Sequence, residues 1–357
     1  MSRFLDARHA GLEPYVPGEQ PKEARSFIKL NTNESPFPPA PSVAQAVAQA
    51  AERLELYNDP QAWKLTCALA AHCGVEPDQI AVGNGSDDIL NFLFMAFCGE
   101  DRPAAFADIT YGFYPVFAQV NHVPYEEVPL REDFTLNLAD YGCDQAKFFV
   151  FANPNAPTGM ALAAQAFVDF ARANPDSLVV VDEAYVDFGG ESCVPYVDEL
   201  DNLIVVQTFS KSRSLAGGRF GFAVGPADLI ADVHAMRYST NPYNVNSMTQ
   251  AAACATLGDA DYTKANCAKV AATRAHTTER LRALGFEVLD SRANFVFARH
   301  ARWSGAELYA RLREKDILVR HFTKSRISDF LRITIGTDEQ MDALVSAFED
   351  IMEERHD

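Results

Sequence analysis

Residues 203–221 read LIVVQTFSKSRSLAGGRFG. The β-branched and apolar run from Leu203 to Thr208 predicts a buried strand. Ser210 and Lys211 follow it, then a loop with Gly217 and Gly218, Arg219, and a second strand over 220–224. Lysine is rarely buried without a partner, yet Lys211 stands where a core strand ends. Two readings are open at this point. The side chain turns back to solvent, or its amine sits in a partly desolvated pocket, where its pKa falls and it can form a Schiff base with a carbonyl.

The neighbouring strands narrow the choice. IAVG (80–83) runs into Asn84-Gly85-Ser86-Asp87, with a helix predicted from Ser86, and PAAFAD (103–108) precedes a helix near Tyr111. KFFVFA (147–152) runs into Asn153-Pro154-Asn155-Ala156-Pro157-Thr158-Gly159 and a helix from about Ala163; LVVV (178–181) runs into Asp182-Glu183-Ala184-Tyr185. Apolar runs without in–out alternation are expected when helices cover both faces of a sheet. The pattern predicts an open, mostly parallel α/β sheet. Ligands bind such sheets at the carboxyl ends of the strands, which is where these polar motifs converge.

Upstream, residues 1–41 read as an irregular arm carrying Tyr15 and the run LNTNESP (30–36). An alanine-rich helix follows from Ser42, a plausible N-cap, and another helix follows Pro60. After Pro242 the texture changes. Helices are predicted over 246–257 and 262–284, strands over 286–289 and 294–298, and a helix from Ser304. Strands ILVR (317–320) and LRITIG (331–336) and a helix over 338–354 close the chain. The expected organisation is a large α/β/α domain over 36–242 and a smaller α+β domain built from 1–35 and 243–357. No internal repeat is present.

A chain of 357 residues is long enough for two domains, and 48% hydrophobic with 22% charged residues describes a globular protein. A net charge of −18 argues against nucleic-acid partners, which need clustered Lys and Arg. No signal-peptide core and no apolar run of membrane-spanning length occurs, which predicts a cytoplasmic protein. Its seven cysteines, Cys143 among them, contain no C-x-x-C pair, so neither zinc nor a disulfide framework is indicated. Nucleotide motifs fail too. No Gly is followed by Lys, as a P-loop requires, and Asp88 stands where a Rossmann fingerprint needs its third glycine.

Each remaining motif has two readings. Gly85-Ser86-Asp87 is a turn and helix cap, or an anion site made of free N–H groups at a helix start. Asp182 is a strand-end solvating charge or a functional acid, and Tyr111 is core packing or a ring platform. Together they amount to a nucleophilic lysine, a phosphate cradle, an acid and several tyrosines, the parts that pyridoxal phosphate needs.

The set Asn155-x-Pro157-x-Gly159, Asp182-x-x-Tyr185, Ser210-Lys211 and Arg219 resembles the fold-type I, pyridoxal-phosphate-dependent aminotransferases of class I and II. LNTNESP, VGNGSDDIL and the closing ILVR…LRITIGT resemble, within them, the histidinol-phosphate aminotransferases. The resemblance spans essentially the whole chain. It implies that Lys211 forms the internal aldimine and shuttles the proton. Asp182 pairs with the pyridine nitrogen, Tyr185 bonds the phenolate oxygen and Tyr111 stacks on the ring. Gly85, Ser86, Asp87, Thr208, Ser210 and Arg219 surround the phosphate, and Tyr57 reaches the neighbouring subunit's phosphate in a homodimer with shared active sites. One departure stands out: Ala156 occupies the place of the family's Asn before Pro-Thr-Gly. Either the adjacent Asn155 substitutes for it or Tyr185 carries the contact alone.

Residues 320–332 hold Arg320, Lys324, Arg326 and Arg332 against Asp329, a basic island in an acidic chain. Arginine suits carboxylate and phosphate. A solvated loop accounts for Lys324 and Arg326, but not for Arg332 inside an apolar strand. The resemblance makes Arg332, Arg320, Tyr15 and Asn33 substrate contacts, and His321 departs from the acid common after that arginine. Three functions compete: amino transfer between histidinol phosphate and 2-oxoglutarate; a sibling activity, either aminotransferase action on aromatic or other amino acids or threonine-phosphate decarboxylation; and a non-catalytic cofactor-binding regulator. The intact Lys211, Asp182 and Arg219 argue against the last.

Overall fold

A computed structural model describes residues 2–20, 27–142 and 146–353; Cys143 and Glu354 lie outside them. In chain order come β1 (Ile28–Lys29), α1 (Pro41–Ala51), α2 (Trp63–Cys73), β2 (Ile80–Gly83), α3 (Ser86–Phe97), β3 (Ala104–Ala107), α4 (Tyr114–Val120) and β4 (Tyr125–Val128). Then follow β5 (Phe148–Ala152), α5 (Ala164–Ala173), β6 (Leu178–Asp182), β7 (Leu203–Thr208), β8 (Gly221–Val224), α6 (Ala227–Thr240), α7 (Ser247–Gly258) and α8 (Ala260–Ala283). The last are β9 (Phe286–Val288), β10 (Phe295–His300), α9 (Gly305–Glu314), β11 (Ile317–Leu318), β12 (Arg320–His321), β13 (Phe330–Thr334) and α10 (Asp338–Glu353).

Successive residues of the apolar strands feed opposite faces of one seven-stranded sheet. Leu203 and Val205 of β7 enter the core on one face, with Phe149, Phe151, Val179 and Val181. Ile204 and Val206 enter the core on the other, with Phe148, Val150, Leu178 and Val180. Two covered faces explain why the runs do not alternate. The strand order is β2-β8-β7-β6-β5-β3-β4. All neighbours are parallel except β8, which runs antiparallel to both β2 and β7. The carboxyl ends of β2, β3, β5, β6 and β7 therefore share one edge, and β8 begins there.

The second sheet, β12-β13-β10-β9, is antiparallel and packs with α8, α9 and α10 around its own core. The arm joins this unit: β1 pairs in parallel with β11, and Leu30 lies in its core. The boundary expected after residue 242 falls between α6 and α7. α7 buries Ala252 and Ala253 in the first core against α1 and α2, and the chain passes to the second core along α8. Ser42 is not the cap of α1. Pro41 takes the first helical position and Ala40 the cap, while the Ser42 hydroxyl donates to Asp259 across α7 (2.5 Å). Lys324 and Arg326 are exposed, as expected of a solvated loop, and both are also engaged in contacts. Lys324 donates to Asp108 O (2.6 Å) and Arg326 pairs with the Asp108 carboxylate (2.9 Å), tying the second unit to the end of β3.

Candidate active site

The chain turns sharply after β7. Phe209 N–H donates to Phe220 O (2.9 Å), closing the loop that presents Lys211. The residues beside the lysine are anchored: Ser212 donates to Asp187, and Arg213 pairs with the same carboxylate at 3.1 Å. The Lys211 amine donates to Thr32 O (3.2 Å) and lies 5.9 Å from the centre of the Tyr185 ring. Part of its surface opens onto a cavity of about 270 Å3 lined by Asp182, Tyr185, Ser210 and Arg219 among others. Burial, helped by the Arg332 charge, brings its pKa down to about 8, against the opposing pull of Asp87 and Glu34. A usable fraction of neutral amine is thus present near neutral pH, as a nucleophile requires.

Asp182 ends β6, pairs in register with Ala152 and Val206, and is 4% exposed. Its Oδ2 accepts the Tyr114 hydroxyl (2.8 Å) and its Oδ1 the Ala184 N–H (3.2 Å). Burial pushes its pKa up to about 6, although both donors pull it down. A carboxylate so placed gains most from a cation delivered into the cavity.

Opposite lies the start of α3, whose first backbone N–H groups have no partner within the helix. Gly85 takes φ +90°, and a Cβ there would stand 2.6 Å from Arg219 Nη2. A Cβ on Gly221 would stand 2.3 Å from Ser86 N, backbone against backbone. The two glycines let strand β8, Arg219 and the helix start close around one small concave site. Arg219 pairs with Asp87 (3.1 Å), and Asp87 also accepts the Tyr111 hydroxyl (2.7 Å). Thr208 Oγ1 accepts from Ser210 N–H (3.1 Å) and holds the Ser210 turn. An anion cradle, a ring-sized cavity, a buried acid and an amine with lowered pKa fit the pyridoxal phosphate expected from the sequence.

A wider cleft of about 880 Å3 adjoins this cavity, and Tyr15, Asn33, Tyr185, Lys211, Arg320 and Arg332 are among its lining residues. Arg320 and Arg332 are directly paired across β12 and β13, so both side chains leave the sheet on one face. Arg332 Nη2 donates to Asn31 O (3.1 Å), while its buried Nε has no partner. Burial pulls its pKa below the usual arginine value. Arg320 donates to Val16 O (3.0 Å) and Pro17 O (3.2 Å), and Tyr15 stacks on Phe113 at 4.3 Å. Asn33, at φ +56°, donates its amide to the Tyr185 hydroxyl (2.9 Å). His321 lines the same cleft, lies 2.8 Å from Ser328 O and stacks on Tyr309 of α9.

Two expected residues are not brought to the cavity. The Asn155 side chain is spent elsewhere: it donates to Ile109 O (3.0 Å) and Thr158 Oγ1 (3.1 Å), and its Oδ1 accepts from Thr110 (2.8 Å). Pro154 and Ala156 line the cavity, and Asn155 is not among its lining residues. Tyr57 is 84% exposed and stacks on Tyr243 at 4.7 Å, away from its own chain's cavity.

Sequence reasoning missed three residues. Tyr114 is fully buried and holds Asp182; its spacing from Tyr111, three residues across a helix start, was the available signal. Glu34 lines the cavity and is paired with Lys29 at 2.6 Å. Glu183, whose carboxyl burial pushes up to about 7, takes bonds from Ser192, the Cys193 N–H and Gln207, and pins the segment that carries Tyr185.

Comparison with known proteins agrees with this geometry. Residues 25–348 match the family described as aminotransferase class I and II. Histidinol-phosphate aminotransferase 1 of Bradyrhizobium diazoefficiens is 51% identical over 352 residues, covering 99% of this chain and 100% of that protein. Its namesake in Bordetella parapertussis is 52% identical over 354 residues, covering 98% and 99%. The crystal structure of histidinol-phosphate aminotransferase from Sinorhizobium meliloti, in complex with pyridoxal-5'-phosphate, superposes with a TM-score of 0.88 at 28% identity, covering 99% and 100%. The chain belongs to the class I and II aminotransferases.

Proposed function

We propose that the protein transfers the amino group of histidinol phosphate to 2-oxoglutarate, giving the corresponding ketone and glutamate, as a step of histidine biosynthesis. Pyridoxal phosphate, when bound, supplies the carbonyl that takes the amino group and a ring that accepts the electron pair left when the α-proton leaves. Ser86 and Asp87 N–H groups, Ser210 and Arg219 would hold its phosphate, and Tyr111 would cover one face of the ring. Asp182 faces the ring nitrogen as a counter-charge. Lys211 would hold the cofactor through its amine, and as a free amine it would carry the proton from the substrate α-carbon. Tyr185, held by Asn33, offers its hydroxyl to the ring's phenolate oxygen without help from Asn155.

The observation that carries the substrate is the direct pairing of Arg320 with Arg332 beside Tyr15. Histidinol phosphate has no α-carboxylate, so its acidic group is a phosphate dianion, and two guanidinium groups plus a phenol match it better than a single carboxylate needs. The names of the two relatives from Bradyrhizobium diazoefficiens and Bordetella parapertussis support the same reading. Truncating one partner of a buried charged contact costs about 2–5 kcal/mol, so Arg320→Ala lowers kcat/KM for histidinol phosphate roughly thirtyfold or more. It affects phenylalanine, which lacks the phosphate, much less. Equal losses on both donors would remove the histidinol-phosphate assignment and leave the aminotransferase.

The reading includes a homodimer. Tyr57, Leu54, Leu56, Trp63 and Tyr243 are large apolar side chains exposed on one chain, and a second copy covering them would bring Tyr57 to the partner's phosphate cradle. A cytoplasmic location is part of the same reading. Among the described residues no helix is long and apolar enough to cross a membrane, and six cysteines are unpaired.

A further inference from the structure

Tyr114 opens α4 and is fully enclosed, with Phe106 at 5.8 Å and Tyr111 edge-on at 5.6 Å between ring centres. Its hydroxyl is spent on a group that lines the cofactor cavity, Asp182 Oδ2, at 2.8 Å. Among the described residues the other oxygen has only the Ala184 N–H, at 3.2 Å. The charged and titratable groups facing Asp182 and Tyr114 are Asp87 at the start of α3, Lys211 after β7, Tyr111 ahead of α4 and Tyr185 after β6. Burial favours the neutral carboxyl, and Asp87 adds to that preference. A neutral Asp182 has no counter-charge to offer a protonated ring. The same burial holds Tyr114 well above the usual phenol range, so it stays a proton donor at every working pH.

We propose that Tyr114 is a positioning residue for Asp182, its hydroxyl fixing the plane of the carboxylate and keeping it anionic opposite the ring nitrogen. This rests on Asp182 meeting that nitrogen. Tyr114 touches neither substrate nor cofactor; it acts through the acid. Deleting the hydroxyl alone leaves the ring packing intact and removes one of two donors to a buried carboxylate. The acid then titrates higher and the ring nitrogen loses its proton more easily.

The test is Tyr114→Phe, loaded with pyridoxal phosphate carrying 15N in its ring, with the nitrogen shift followed from pH 6 to 9. The wild type keeps the protonated shift, whereas the variant moves toward the unprotonated one. In the apoenzyme, 13C-labelled Asp182 titrates at higher pH in the variant than in the wild type. The kcat falls roughly ten- to a hundredfold, with a smaller change in cofactor affinity. In an Asp182→Asn background the second change has no further effect on the nitrogen shift. If Tyr114→Phe does not fold, a difluorotyrosine placed at 114 keeps the shape, strengthens the donor and moves the Asp182 titration down. An unmoved nitrogen shift and an unmoved titration with either substitution overturn the inference. If Asp182→Asn itself leaves the nitrogen shift unchanged, the pairing of Asp182 with the ring fails instead, which is a separate result.

Discussion

Lys211 should destabilise the fold it serves. The perturbation is Lys211→Met in the apoenzyme, which keeps the length of the side chain and removes the charge. In the folded chain burial brings the lysine pKa from 10.5 down to about 8, while an unfolded lysine keeps its ordinary value. Between those two values the unfolded state binds more protons, so wild-type stability rises with pH across that window. Below pH 8 the full cost of holding the ammonium is present. A shift of this size corresponds to about 3 kcal/mol at neutral pH. Solvent that reaches the partly open amine screens it, so about half that is expected. Replacing the lysine therefore raises apoenzyme stability at pH 7 by ~1–2 kcal/mol, an advantage that shrinks toward pH 9.5 as the wild-type amine deprotonates. Urea unfolding of both apoenzymes at pH 7, 8 and 9.5 reads this directly. A variant that is less stable at pH 7, or a difference that does not change with pH, would refute the claim that the amine is strained by desolvation. The lost bond to Thr32 O works against the gain.

Two further outcomes follow from named contacts. Gly221→Ala drives a Cβ to 2.3 Å from Ser86 N, and since both sides are backbone, β8 and the start of α3 must part; overpacking of this kind costs about 1–3 kcal/mol, so equilibrium dialysis should find cofactor affinity reduced roughly tenfold or more, and unchanged affinity would place the phosphate elsewhere. If the proposed homodimer shares its sites, mixing Lys211→Ala protein with Tyr57→Phe protein should restore activity after subunit exchange, because each hybrid has one site free of both lesions; no recovery would assign Tyr57 to its own chain's site.

Much of the large sheet was legible because its strands are apolar on both faces, and Lys211, Asp182 and Ser86 each stand at the end of such a run. β4 was not. Its Tyr125, Glu126 and Glu127 are exposed and only Val128 is buried, the pattern of a wet edge strand. The run ILVR reads as one strand but serves two sheets: Ile317 and Leu318 pair with the arm, while Arg320 and His321 pair with β13. That switch, invisible to periodicity, sets Arg320 opposite Arg332. Tyr114 reads as core until the fold brings it to an acid 68 residues away. Asn155 shows the reverse. It sits beside the family's Asn position, yet an amide's direction depends on the local backbone, and here Ile109 O, Thr110 and Thr158 claim it.

Amino transfer from a phosphorylated donor at this site is the reading to test. The most direct measurement is a single turnover of purified, cofactor-loaded protein mixed with histidinol phosphate in the absence of any acceptor. The yellow colour of the loaded protein is expected to bleach, with one equivalent of ketone per subunit and no carbon dioxide. Added 2-oxoglutarate then restores the colour and yields one equivalent of glutamate, and Lys211→Ala does none of this. Colour that persists with histidinol phosphate but bleaches with phenylalanine, or carbon dioxide released from threonine phosphate, would contradict it.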